Sequence, residues 1–223
     1  MDHFSETDFP IRSWDVHSSV SFRKTSEEWG GFSNMAAGFP IVVNNVEWRT
    51  SEALYQALRF PDFPEIQELI RAEKSPMAAK MVSKPHRLQS SRKDWDAVRI
   101  DLMFWSLRVK LACNFNNFGE LLRNSRNAEI VESSSKDRFW GAVPVNDDYL
   151  QGQNVLGVLI AKLRQEWVMG QEFACEVEPP EITNCRLLGD DISTIEPPEY
   201  FPQTLFSAEK NYQIERQRYS DDR

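Results

Sequence analysis

Glu52, Tyr55, Gln56 and Arg59 place an acid, a phenol, an amide and a guanidinium within about two turns of a short helical stretch. At about 100° per residue these four share one side, while Ala53, Leu54, Ala57, Leu58 and Phe60 share the other. A carboxylate can hold sugar hydroxyls, an amide offers fixed hydrogen bonds, and an arginine pairs with phosphate. The polar side therefore reads in one of two ways: the wall of a pocket for a ligand with hydroxyls, phosphates and a ring, or an ordinary solvated helix face. Periodicity alone does not choose between them.

Three other stretches carry candidate chemistry. Lys24 leads into Gly30-Gly31-Phe32-Ser33-Asn34, where the paired glycines allow close backbone approach and Ser33 and Asn34 suit either a plain turn or a nucleotide-holding loop. Ser133-Ser134-Ser135-Lys136-Asp137 is a polar loop that closes on Phe139-Trp140-Gly141. Gly152 and Asn154 precede a strong helix carrying Val155, Leu159, Leu163 and Trp167. There they could expose backbone N–H groups to an anion, or Asn154 could be a plain N-cap.

The elements that must position these residues follow from caps and periodicity. Thr50 and Ser51 can cap the helix that carries Glu52, and Pro61 ends it. Val20-Ser21-Phe22-Arg23 alternates as a strand, and Asn44-Asn45 joins Ile41-Val42-Val43 to Val46-Glu47-Trp48 as a hairpin. Helices are predicted over 64–72, from Ser75-Pro76 onward, and from Asp94 to about Cys113 with a buried stripe of Val98, Leu102, Trp105, Val109 and Ala112. A strand is predicted over 128–132. Residues 1–19 read as a loose lead-in, 20–169 as the body, and 170–223 as an acidic, proline-rich extension with Tyr200, Phe201, Leu205 and Phe206 as anchors.

With 223 residues the chain suits one domain, and its net charge of -8 is unevenly spread. Residues 71–110 hold ten Lys/Arg against four Asp/Glu, so the middle can attract a phosphate-rich ligand. Acids near the start and the lack of a long apolar run predict a cytoplasmic protein with no membrane partner. Cys113, Cys175, Cys185 and the scattered His3, His17 and His86 spell out neither a zinc nor a disulfide framework, so no metal is expected.

Taken together, Gly31-Phe32-Ser33-Asn34, Thr50-Ser51-Glu52 with Tyr55-Gln56-Ala57 and Phe60, Ser75-Pro76-Met77-Ala78-Ala79, the helix with Trp95 and Arg99 to Met103, Ile130-Val131-Glu132 to Asp137 with Trp140-Gly141, and Gly152-Gln153-Asn154 resemble the NADAR family over roughly residues 20–168. The resemblance implies a single compact, mainly helical α+β domain, with its strand and hairpin region near the N-terminus and an irregular C-terminal extension outside the match. It also implies cleavage of N-glycosidic bonds without a redox or other cofactor. One branch acts on phosphoribosylated pyrimidines of riboflavin biosynthesis. Another removes ADP-ribose from guanine in nucleic acid and is often partnered with a DNA ADP-ribosyltransferase toxin. The run from Phe22 to Pro40 looks closer to that second, antitoxin-like branch, so an ADP-ribosylated guanine nucleotide or nucleic acid is the expected substrate. A non-catalytic sensor of ADP-ribose is the remaining alternative.

The resemblance makes Glu52 the catalytic carboxylate; beside it Lys24 is either a Schiff-base nucleophile, if it lies near the sugar, or a solvated surface lysine, and Asp137 could bind ribose hydroxyls or orient water. Substrate binding is expected of Gly31, Phe32, Ser33, Asn34, Tyr55, Gln56, Arg59, Trp95, Trp140, Gly141 and Asn154, with Trp140 either stacked on a base or plain core. An acid in a first helical turn is favoured as the anion, which suits Glu52 to charge stabilisation or general-base work. Met35, Ala53 and Arg59 depart from the family pattern, and Arg59 in place of a lysine points to a phosphate ligand rather than an amine nucleophile.

Overall fold

The computed structural model describes residues 3–169 and 176–196, so the anchors expected at Tyr200, Phe201, Leu205 and Phe206 lie outside the described residues. In chain order the elements are β1 (Arg12–Asp15), β2 (Val20–Phe22), β3 (Ile41–Val43), β4 (Val46–Trp48), α1 (Ser51–Ala57), α2 (Pro64–Ala72), α3 (Pro76–Ser83), α4 (Arg87–Ser90), α5 (Trp95–Cys113), α6 (Phe115–Asn124), β5 (Ile130–Glu132), β6 (Val143–Pro144), β7 (Tyr149–Gly152), α7 (Val155–Met169), β8 (Arg186–Leu187) and β9 (Asp190–Asp191). The fold is α+β and mainly helical.

Local chemistry sets the ends of these elements. Thr50 Oγ1 accepts the Ala53 N–H at 3.3 Å to start α1, and Ser75 Oγ accepts the Ala78 N–H at 3.4 Å ahead of Pro76 to start α3. Asn44 and Asn45 turn the β3–β4 hairpin with φ of 52° and 59°, the left-handed pair that a two-residue connection of this kind needs.

Helix α5 is the centre of the core. The one apolar stripe expected for it is too narrow, because α1, α6, α7 and β3 all pack against it. Leu102, Trp105, Leu107, Val109 and Leu111 are all fully enclosed, which requires apolar residues around most of the helix.

Two long-range pairings bring the site together. β2 runs parallel to β5, with Phe22 opposite Glu132. β1 pairs antiparallel with β7, which also pairs with β6. The first residues are thus not the loose lead-in expected: beyond strand β1, the Phe4 N–H donates to Asp101 Oδ1 at 2.8 Å and Arg99 meets Glu6 at 3.0 Å.

Residues 176–196 also depart from the irregular extension expected. Val177, Leu187, Ile192 and Ile195 join the core, and β8–β9 forms a small hairpin. Polar side chains of the body hold the segment in place. Buried Gln67 donates to the carbonyls of Ala57 at 3.1 Å and Arg186 at 2.9 Å, Arg92 donates to Thr183 O at 2.8 Å, and the Trp105 indole donates to Glu178 O at 2.8 Å.

Candidate active site

All seven residues of α1 are buried, Glu52 at 5% exposure. Its polar side is therefore no solvated face, and Glu52, Tyr55 and Gln56 line a cavity of about 550 Å³. The turn before it is clamped to the helix start: Asn34 O accepts the Glu52 N–H at 3.0 Å, and Asn34 Oδ1 accepts the Ser51 hydroxyl at 3.0 Å. From the other side, fully buried Lys110 of α5 donates to Gly31 O at 2.6 Å and Ser33 O at 3.0 Å. Its ammonium lies 4.6 Å and 4.4 Å from the ring centres of Phe39 and Phe118. Burial lowers the Lys110 pKa to about 7.

Glu52 Oε1 accepts the Gln56 amide at 2.9 Å and lies 3.9 Å from the Lys80 ammonium of α3. The Gln56 oxygen in turn accepts Ser83 Oγ and Arg87, each at 3.0 Å. Burial raises the Glu52 pKa, while Lys80, the Gln56 hydrogen bond and Arg87 pull it back. Desolvation thus works against the anion that the helix start favours, and the cations and amide around the carboxylate work for it.

The facing wall comes from the β5 end and the loop after it. Asp137 Oδ1 accepts the N–H groups of Phe139 and Trp140 at 3.0 Å each, which shapes the loop that carries both rings. Glu132 also lines the cavity. Its pKa is raised to about 7, first by burial and then by the charges of Asp137 and Glu52, with Lys80 opposing. Tyr55 packs between Trp95 and Trp140, with ring centres 5.2 Å and 5.8 Å away, and burial drives its phenol well above the usual range. Arg59 lies over Trp95 at 4.5 Å and donates to Ser91 Oγ at 2.7 Å.

Of the residues singled out from sequence, Ser33, Asn34, Glu52, Tyr55, Gln56, Arg59, Trp95, Asp137 and Trp140 come together around this cavity. Lys24, Gly31, Phe32, Gly141 and Asn154 do not line it. Lys24 is exposed, and its backbone N–H donates to the Glu27 carboxylate at 3.0 Å. Phe32 is core, packed against Phe22, Trp29 and Phe118. Gly31 and Gly141 are close-approach positions: a Cβ would lie 2.3 Å from the Leu121 side chain and 2.5 Å from Glu132 O, respectively. Asn154 stands at the N-cap position of α7, its carbonyl accepting the Val158 N–H at 3.0 Å, and its side chain is turned to β5 rather than to a ligand. With φ of 52° and full burial, it staples β5, accepting the Glu132 N–H at 3.0 Å and donating to Ile130 O at 2.8 Å. The first N–H groups of α7, from Val155 and Leu156, are taken by the carbonyls of Phe139 and Trp140.

Five charged lining residues were given no role of their own from sequence: Lys80, Arg87, Arg99, Glu132 and Lys136. Lys80 and Arg87 stood inside the basic stretch, and Arg99 and Glu132 inside the matched motifs. Nothing local marks Glu132 apart from any strand-end acid. Among the described residues, no group of three His, Cys, Asp or Glu is arranged to hold a metal ion, and no helix is long and apolar enough to cross a membrane.

One buried carboxylate, Glu52, and two half-buried ones, Glu132 and Asp137, thus share a cavity with lysine, arginine and aromatic side chains, the lining of a polar ligand pocket. The chain belongs to the NADAR family, whose domain matches residues 21–167. It is 35% identical over 150 residues to N-glycosidase YbiA of Escherichia coli strain K12, covering 66% of this chain and 87% of that one. It is 29% identical over 160 residues to the riboflavin biosynthesis protein VVA0006 of Vibrio vulnificus, covering 71% of this chain and 41% of that protein. The NMR structure of E. coli YbiA superposes with a TM-score of 0.58 at 33% identity, over 68% of this chain and 86% of that one.

Proposed function

We propose that the protein hydrolyses an N-glycosidic bond between a phosphorylated ribose and a nucleobase. The observation that carries this is the setting of Glu52: buried in the cavity, bonded to Gln56 at 2.9 Å and surrounded by cations and aromatic rings. As the C1–N bond breaks, positive charge grows on the sugar, and a fixed carboxylate in a shielded site stabilises it. Arg59, Arg87 and Arg99 supply forked donors for phosphate oxygens, and Tyr55, Trp95 and Trp140 supply flat surfaces for a base. Family membership and the named N-glycosidase relatives support the same reaction class.

For the substrate, we propose ADP-ribosylated guanine, free or in nucleic acid. Three arginines with Lys80 and Lys136 around about 550 Å³ suit a diphosphate, and on this reading the natural counterpart is a DNA ADP-ribosyltransferase toxin. The relatives named for riboflavin biosynthesis favour a second reading, a phosphoribosylated pyrimidine. Incubation with a guanine-ADP-ribosylated oligonucleotide and, separately, with a ribosylaminopyrimidine phosphate decides between them by which base is released. Glu52→Gln should abolish release while product still binds. Binding without release from either substrate by the wild-type protein would make it a sensor.

A covalent route through Lys24 rests on one feature: Lys24 lies two residues past Phe22, which pairs with Glu132. Its own side chain stands exposed, outside the cavity lining. Borohydride trapping followed by peptide mapping tests the route. An adduct on Lys24 puts a Schiff base on the path, and none leaves direct hydrolysis.

A further inference from the structure

Two glutamates line the cavity, and their surroundings differ. Glu52 has an amide donor at 2.9 Å and an ammonium at 3.9 Å, the partners a carboxylate wants. Glu132 sits at the end of β5, its backbone fixed by the Asn154 side chain at 3.0 Å and by the Ala142 N–H on its carbonyl at 2.8 Å. The charges that act on its carboxyl are Asp137 from the following loop, Glu52 from α1 and Lys80 from α3, two acids against one cation. Two carboxylates in one enclosed site do not both ionise readily, and the less supported one keeps its proton.

From this geometry we propose that Glu132 is the proton donor to the departing base, a catalytic role distinct from that of Glu52 and resting on the N-glycosidase reading above. The C1–N bond breaks with its electron pair going to the base nitrogen, which takes the proton from the Glu132 carboxyl. Glu52 faces the sugar cation. Water then adds to C1 and gives its proton to the Glu132 carboxylate, which restores the starting state and leaves free base and a ribose hydroxyl. The pKa near 7 places that proton where a general acid works at neutral pH.

The test compares wild type, Glu132→Gln and Glu132→Asp on two substrates that share the sugar phosphate. One carries the natural base and the other 4-nitrophenolate, which leaves without a proton. Glu132→Gln should lose about 100-fold or more in kcat/KM on the base and less than about 5-fold on the nitrophenyl substrate. Wild-type kcat/KM on the base should fall as pH rises through about 7. That limb should vanish in Glu132→Gln and persist, displaced, in Glu132→Asp. Equal losses on both substrates, or an unchanged alkaline limb in Glu132→Gln, would overturn the assignment while leaving the glycosidase reading in place. A carboxyl signal titrating near 7 in wild type and absent from Glu132→Gln, read by carbon NMR, checks the proton's location without turnover. A Glu132 carboxyl titrating near 4.5 would overturn the proposal on its own. If wild type cleaves neither substrate, the glycosidase reading falls and this role falls with it.

Discussion

Gln56 donates its side-chain amide to Glu52 Oε1 at 2.9 Å, one turn along the same buried helix, and its own oxygen collects Ser83 and Arg87 at 3.0 Å each. The amide is the joint between the carboxylate on α1 and the cationic edge of α3 and α4. A hydrogen bond to a charged group contributes about 1.5–3 kcal/mol, and without it Glu52 is free to rotate. Gln56→Leu should therefore lower kcat by about 10- to 100-fold with a smaller change in KM. Steady-state kinetics on the cleaved substrate read the split, and an unchanged kcat would deny Gln56 this orienting part.

Glu132 should leave a mark on stability as well as on rate. Its carboxyl keeps its proton up to about 7 in the folded protein, against 4.5 in the unfolded chain. Between those values the folded state binds the extra proton, so this group's contribution is complete below about 4.5 and is lost as pH rises towards 7. Glu52, also raised, acts in the same direction, so the comparison of wild type with Glu132→Gln isolates Glu132. Urea midpoints measured at intervals from pH 4.5 to pH 7 should decline less steeply in the variant.

Lys110 ties the Gly31–Asn34 turn to α5. Lys110→Met keeps most of the volume but takes the donor from the half-buried Gly31 O and one of two donors from Ser33 O, which keeps the Ala36 N–H at 3.1 Å, for a net loss of about 1–3 kcal/mol after relief of the buried charge. The loosened turn carries Ser33 and Asn34, so KM should rise too. In the wild type the depressed Lys110 pKa makes stability increase with pH from about 7 to 10.5, a rise that the methionine variant should lack. Denaturation curves on either side of pH 7 provide the check.

The segment 176–196 is part of the fold although it lies beyond the matched domain. Ending the chain at residue 175 exposes the surface that Val177, Leu187, Ile192 and Ile195 cover, each worth about 1.5–3 kcal/mol when fully buried. It also takes the Thr183 and Asn184 carbonyls from Arg92, which keeps Asp94 and whose backbone N–H donates to Arg59 O at 2.9 Å beside the cavity. The truncated chain should melt at least 10 °C lower by circular dichroism, on the order of what such a loss implies for a domain of this size. An unchanged melting temperature would make the segment an ornament.

What the sequence determined by itself was local. Thr50, Ser75 and Pro76 mark helix starts, Asn44-Asn45 marks the hairpin, and the Glu52 helix sorts its polar and apolar sides, because caps, turns and periodicity depend on neighbours a few residues away. Whether the polar side of that helix met water or a cavity was open. Only α3, α4 and the loop after β5, closing over it from distant parts of the chain, decided that it is buried. The same long-range packing moved Asn154 from ligand to staple, left Lys24 outside the lining, wove the first and last described segments into the body, and set Glu132 beside Asp137 and Glu52. A side chain's chemistry depends on what surrounds it, and those surroundings come from contacts that no local pattern specifies.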